Sequence, residues 1–252
     1  MNITKVRAFQ DNYIWILADE NQKICHCIDP GDAAPVVRFL ESTGLQLSNI
    51  LLTHHHFDHQ GGVNKLAQQY PDIKVYGPDD ARIPSIAHKL KDGDVLDISD
   101  MHFKILSIPG HTSTHIAYYE DNKNLLFCGD TLFSAGCGRI FDGTAEQLYQ
   151  SLQLLKTLPD KTKVYCAHEY TKNNLLFART VEPENEMIQR RLNEIEKKED
   201  ACTLPSIIEL EKQINPFLRI MEPAVIKYAS QRGSGTSPVS VFKCVREQKD
   251  SF

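Results

Sequence analysis

The run Thr53-His54-His55-His56-Phe57-Asp58-His59-Gln60-Gly61-Gly62 constrains the fold of this chain more than any other stretch. It follows directly on the apolar segment Asn49-Ile50-Leu51-Leu52, so a buried strand ends where four strong metal ligands begin: His54, His56, Asp58 and His59. Imidazole and carboxylate are groups that borderline divalent metals such as zinc accept. Four of them, packed so closely, cannot all converge on one ion from their own backbone. The spacing calls for two ions side by side, each completed by ligands that the fold brings from other parts of the chain.

The same arrangement, an apolar strand ending in a ligand, recurs. Phe103–Ile108 ends at Pro109-Gly110-His111, Asn124–Cys128 at Gly129-Asp130, and Lys163–Cys166 at Ala167-His168. Loops past the ends of packed strands are where a rigid scaffold holds a site. Tyr13–Ala18 and Ile24–Ile28 read as two further strands. Ala33–Thr43 reads as a helix stopped by Gly44, and Val63–Tyr70 as one stopped by Pro71. Mixed strands and helices of these lengths predict an α/β (α+β) chain, its sheets covered by helices on the outside. After about Thr171 the texture turns helical. Glu184–Lys198 is amphipathic through Ile188, Leu192 and Ile195, and Ile207–Ile214 and Pro238–Lys249 follow as helices.

With 252 residues, a net charge of -5 and 24% charged residues, the chain reads as an ordinary globular protein. There is no basic excess for nucleic acid or an anionic membrane surface, no apolar run near the roughly 18 residues of a membrane span, and no secretory signal at the N-terminus. Seven Cys without paired spacing point to free thiols in a reducing cytoplasm. Cys25 and Cys27, on one predicted strand, are expected to face opposite sides of it.

The ligands sort into sets. His54 and His56 alternate on extended backbone and reach one ion together, with His111 as the third ligand. Asp58 and His59 turn toward a second ion with His168, and Asp130 bridges, because a carboxylate has two oxygens. Two ions roughly 3.5–4 Å apart hold and ionise one water and polarise a carbonyl, which suits hydrolysis of an acyl bond. His55 alternates to the other side and is read as supporting. His26, His88, His102 and His115 lack such a setting, and Cys128 and Cys137 read as apolar filler.

On Thr53–Gly62, Gly110-His111-Thr112, Gly129-Asp130-Thr131 and His168, the chain resembles the metallo-β-lactamase superfamily. Within it, the chain resembles the glyoxalase II (hydroxyacylglutathione hydrolase) family over nearly its whole length. That likeness runs through Asp130–Arg139, Ala167-His168-Glu169-Tyr170-Thr171, Thr203-Leu204-Pro205-Ser206, Asn215-Pro216-Phe217-Leu218-Arg219 and Arg246–Asp250. The resemblance implies an αββα sandwich as a catalytic domain over residues 1–170, followed by a small C-terminal helical substrate-binding domain over 171–252. It implies two divalent ions, Zn2+ first with Fe or Mn as alternatives, and a glutathione thioester as the small-molecule partner. Asp58 and Asp130 are then catalytic as well as ligating, and Arg139, Tyr170, Arg246 and Lys249 contact glutathione. An Arg grips a carboxylate in bidentate fashion, and Arg246 and Lys249, three apart on a helix, share a face. Arg139 stands where Lys also occurs in the family. Phe141 stands where Tyr supplies a hydroxyl, and it donates no such bond.

The implied reaction is hydrolysis of S-D-lactoylglutathione to D-lactate and glutathione, the second step of methylglyoxal detoxification, by a cytoplasmic and monomeric enzyme. The leaving thiolate lessens the need for a strong general acid. A mononuclear-iron persulfide dioxygenase acting on glutathione persulfide is the first rival. One iron with two His and a carboxylate would leave Asp58, His59 and His168 without ligand roles, and the full ligand set and long tail argue against it. A non-catalytic binding protein on the same scaffold is the second rival, and the intact ligand set argues against that too.

Overall fold

Parallel strands buried on both faces are apolar where they cross the core, and Gln46–Leu51 is so at its C-terminal end, where Ile50 and Leu51 have no exposed surface. It lies between two parallel neighbours in a computed structural model that describes residues 1–197 and 202–252. The described residues divide into two units, Met1–Ser107 with Thr114–Gly129, and Ile108–Ser113 with Asp130–Phe252.

The first unit contains β1 (Asn2–Ala8), β2 (Asn12–Asp19), β3 (Ile24–Ile28), α1 (Ala33–Thr43), β4 (Gln46–Leu51), α2 (Phe57–Gln60), α3 (Val63–Gln69), β5 (Lys74–Pro78), β6 (His88–Leu90), β7 (Val95–Ile98), β8 (Met101–Ser107), β9 (Ile116–Glu120) and β10 (Leu125–Gly129). Strands β1 to β6 form one sheet in that order, antiparallel from β1 to β3 and parallel from β3 to β6. Strands β7 to β10 pair antiparallel in sequence order. Helix α1 begins on Asp32, whose carboxylate accepts from Ala34 N, and ends on Gly44 at φ 70, whose N–H donates to Leu40 O. Both ends are thereby satisfied without distortion. Its buried Ala33, Val36 and Leu40 join Ile50, Leu52, Val63 and Leu66 in one core cluster. Cys25 and Cys27 both lie in that cluster. The expectation that they face opposite sides fails, because residues two apart on a strand share a face.

The second unit contains β11 (Leu132–Phe133), β12 (Gly136–Cys137), α4 (Ala145–Lys156), β13 (Lys163–Cys166), α5 (Thr171–Val181), α6 (Glu186–Glu196), β14 (Ser206–Ile207), α7 (Ile208–Ile214), α8 (Pro223–Ser230) and α9 (Pro238–Asp250). Helix α4 opens with a reciprocal capping box between Thr144 and Gln147. The predicted amphipathic helix is α6, capped by Asn185 through bonds from Met187 N and Ile188 N. Its Ile188 and Leu192 pack with Leu175, Ala178 and Ile214. The predicted end of this helix at Lys198 lies outside the described residues. No helix among the described residues is long and apolar enough to cross a membrane.

One buried histidine makes a testable prediction for stability. His26 is 1% exposed. Asn49 Nδ2 lies 2.7 Å from its Nδ1 and Ser99 Oγ 3.2 Å from its Nε2, so the ring is held neutral. Burial lowers its pKa to about 4, with Asp19 opposing. The unfolded chain takes up the proton near pH 6.5, so this stability is complete above that pH and is lost as the pH falls toward 4. Chemical denaturation should show up to about 3 kcal/mol lost across that window, and His26→Gln should flatten the curve there.

Candidate metal centre

In the first unit the histidine run is anchored from the end of β3. Asp29 is 4% exposed, sits at φ 53, and donates its N–H to Leu51 O at 3.0 Å. Its carboxylate accepts from Thr53 N at 2.8 Å, Thr53 Oγ1 at 2.7 Å and His59 Nδ1 at 3.0 Å. Facing a carboxylate, His59 Nδ1 must carry the proton, which leaves Nε2 as the lone-pair atom. Thr53 Oγ1, already donating to Asp29, accepts from His54 Nδ1 at 3.0 Å. His54 Nε2 is thereby a lone-pair atom, and it lies 3.1 Å from His56 Nδ1. Two nitrogens that each bind one zinc ion at about 2.0–2.1 Å stand near this separation.

The imidazoles form a cluster. The His54 ring lies 4.7 Å from His56, 4.0 Å from His59 and 4.6 Å from His115, on which it stacks at 16°. His54, His59 and His115 have no exposed surface. Asp58 opens toward solvent, its side chain 39% exposed, with Oδ2 3.5 Å from His59 Nε2 and accepting from Asn12 Nδ2 at 2.9 Å. The turn before α1 fits tightly under α2, since a Cβ on Gly31 would fall 1.8 Å from Asp58 O. His55 turns away to Asp80, 3.6 Å off. Burial would raise the Asp80 carboxyl, but hydrogen bonds from Arg82 and Thr114 outweigh it and hold the group well below the usual carboxylate range.

In the second unit His111 Nδ1 donates to Arg139 O at 2.7 Å, which again leaves Nε2 as the lone-pair atom. Asp130 Oδ2 lies 3.6 Å from His111 Nε2 and 3.3 Å from His168 Nε2. A carboxylate between two imidazole nitrogens, with both side chains 4% exposed, has the placement a bridging ligand needs. Gly138 makes this approach possible, because a Cβ there would stand 2.0 Å from Asp130 O and 2.8 Å from His111 Nδ1. His168 stacks on Tyr170 at 4.7 Å and 5°, and Phe133 presents its face or edge to both. Phe141, 65% exposed, meets His111 edge-on at 5.2 Å.

The predicted glutathione contacts differ among themselves. Arg139 is open to solvent, its side chain 65% exposed. Arg246 is only 4% exposed, and its guanidinium donates to Cys137 O at 2.7 Å and to Asp250 Oδ1 at 3.0 Å. Lys249, on the same helix, has its pKa lowered by burial and then by the neighbouring Arg246 and Arg139 charges.

The donor set in each unit fits a divalent metal: buried, tautomer-fixed imidazoles beside carboxylates, with oxygen acceptors holding their other ring N–H groups. Asp29, Asn12 and His115 are supporting residues that sequence reasoning missed. Asp29 carried a signal, since it too is an acidic residue just past a strand end.

Residues 11–168 match the family model described as the metallo-beta-lactamase superfamily. That is more than half of the chain, and the chain belongs to this superfamily, a mixed α/β fold with a helical C-terminal domain. Residues 169–252 match the model for the hydroxyacylglutathione hydrolase C-terminus. A hydroxyacylglutathione hydrolase of Legionella pneumophila (strain Corby) is 54% identical over the whole of both chains. That of Aliivibrio salmonicida (strain LFI1238) is 48% identical over 99% of each. A solved structure described as TTHA1623 in a di-iron-bound form superposes with a TM-score of 0.61 at 26% identity, covering 86% of this chain and 100% of that one. Within the superfamily, then, the chain belongs to the hydroxyacylglutathione hydrolase family, and it is a hydrolase.

Proposed function

We propose that this chain hydrolyses S-D-lactoylglutathione, and related 2-hydroxyacyl-glutathione thioesters, to the 2-hydroxy acid and glutathione. The full-length likeness to hydroxyacylglutathione hydrolases carries this reading. In it, His54, His56 and His111 would hold one divalent ion and Asp58, His59 and His168 a second, with Asp130 shared between them. Zn2+ suits this nitrogen and oxygen set, and iron and manganese accept it as well. Such a pair supplies a water ionised near neutral pH and a Lewis acid for the thioester carbonyl oxygen.

The chain's own residues orient this chemistry. Asp29 and Thr53 fix the ring nitrogens of His59 and His54, and Arg139 O fixes His111. Asp58, steadied by Asn12, is placed to hold the proton given up by the attacking water and return it as the carbon–sulfur bond breaks. The acyl carbon gains the water's oxygen and the sulfur leaves as thiol. Arg139, Tyr170, Arg246 and Lys249 would contact the glutathione part, the last two from a helical substrate-binding domain over 171–252 that follows a catalytic domain over 1–170. All seven cysteines are free, which supports a reducing, cytoplasmic setting, and a monomer is proposed.

If Lys249 holds a glutathione carboxylate, Lys249→Met should raise KM by about five- to tenfold with kcat nearly unchanged, as removal of ground-state binding does. The reaction itself is tested by incubating the zinc-loaded chain with lactoylglutathione and measuring free thiol and D-lactate together. Equal release of both is expected. Zinc-loaded chain inert toward lactoylglutathione and other hydroxyacyl-glutathiones would overturn the reading.

A further inference from the structure

A fully buried carboxylate in the helical part of the second unit has no place in the chemistry above. Glu211 of α7 has no exposed surface. Its carboxylate accepts from Ala135 N at 2.7 Å, Asn215 Nδ2 at 3.1 Å and Ser206 Oγ. Burial pushes this carboxyl upward, against the hydrogen bonds it receives. Taking a carboxylate out of water costs several kcal/mol unless donors compensate, so an apolar side chain would serve mere packing better.

The donors explain the choice. Strands β11 and β12 form a hairpin turning at Ser134-Ala135, and Ala135 sits at φ 55, a left-handed conformation that a non-glycine residue adopts only when held there. Each residue from 133 to 136 is held through its backbone by a buried side chain of α5 or by the α7 pair. Asn215, at the C-cap of α7, donates to Phe133 O at 3.1 Å and Gly136 O at 2.9 Å, Asn174 donates to Ser134 O at 3.0 Å, and Glu211 accepts from Ala135 N. There is no slack, since a Cβ on Gly136 would lie 2.4 Å from Asn174 Nδ2.

This hairpin joins the groups that matter. Asp130 lies just before it. Phe133 within it packs on His168 and Tyr170. Cys137 O at its end takes the Arg246 guanidinium, and Arg139 O beyond it fixes His111. We propose that Glu211, with Asn215 and Asn174, is a positioning clamp that sets this hairpin, and through it the metal-facing atoms of Asp130 and His111 and the seat of Arg246. The inference rests on the reading of Asp130 and His111 as metal ligands.

The test compares Glu211→Gln with Asn185→Ala, which removes the cap of α6 in the same unit and none of whose hydrogen bonds reaches the hairpin. Melting temperature, zinc Kd by competition with a chromophoric chelator, and kcat and KM on lactoylglutathione are measured for each. Glu211→Gln should raise the zinc Kd about tenfold, as loss of an outer partner of a ligand does, and should raise KM several-fold even at saturating zinc. Asn185→Ala should lower the melting temperature while leaving Kd and KM within about twofold. Glu211→Gln with Kd and KM within about twofold of the parent would overturn the proposal, whatever its melting temperature. If Glu211→Gln does not fold, Asn174→Ala, which removes the bond to Ser134 O, carries the same expectation and the same refutation. A parent chain that binds zinc without cleaving the thioester would overturn the proposed function and leave the Kd comparison decisive for the clamp.

Discussion

Asp130→Asn should lower kcat/KM by at least about 10³-fold, a loss of about 4 kcal/mol of transition-state stabilisation, and should reduce bound metal from about two ions per chain to about one. Asp130 Oδ2 lies between His111 Nε2 at 3.6 Å and His168 Nε2 at 3.3 Å. An amide keeps the shape but loses the charge and one of two acceptor oxygens, so it cannot serve ions on both sides. Elemental analysis beside steady-state kinetics checks both halves. Asp130→Asn protein that keeps two ions and parental activity would remove Asp130 from the centre.

Asp29→Ala should have the second large effect, although Asp29 is read as no ligand. It leaves Thr53 N, Thr53 Oγ1 and His59 Nδ1 buried without their acceptor. At about 1–3 kcal/mol for each unsatisfied group, partly relieved by water, the metal-free chain should lose about 3–5 kcal/mol in chemical denaturation. Metal affinity should fall about 10- to 100-fold as the His59 ring loses its fixed tautomer. Asp29→Asn separates the two effects: it retains packing and one acceptor oxygen, so it should recover much of the stability while metal affinity stays depressed. Equal recovery of both would mean that Asp29 acts on the fold alone.

Much of this arrangement was legible in the sequence because it is written in local signals. Gly44 marks the end of α1 by its capping chemistry, and apolar runs ending in His or Asp mark β4, β8, β10 and β13 together with the candidate ligand that follows each. What was missed depends on contacts distant along the chain. Asp29 meets Thr53 and His59 only in space, and Glu211 reaches Ala135 across 76 positions. Short elements such as β11, β12 and β14, two residues each, carry no periodicity to read. The likeness to a family named Arg246 as a glutathione contact, but only the structure shows its guanidinium turned to Cys137 O and Asp250.

In the proposed reaction one chain needs two metal ions to cleave a glutathione thioester. The most direct measurement is a titration of metal-free protein with Zn2+, following thiol release from lactoylglutathione against bound metal. Activity should reach its plateau at about two zinc ions per chain. A plateau at about one ion, or a zinc-saturated chain that releases no thiol while an iron-loaded form consumes oxygen with glutathione persulfide, would contradict it.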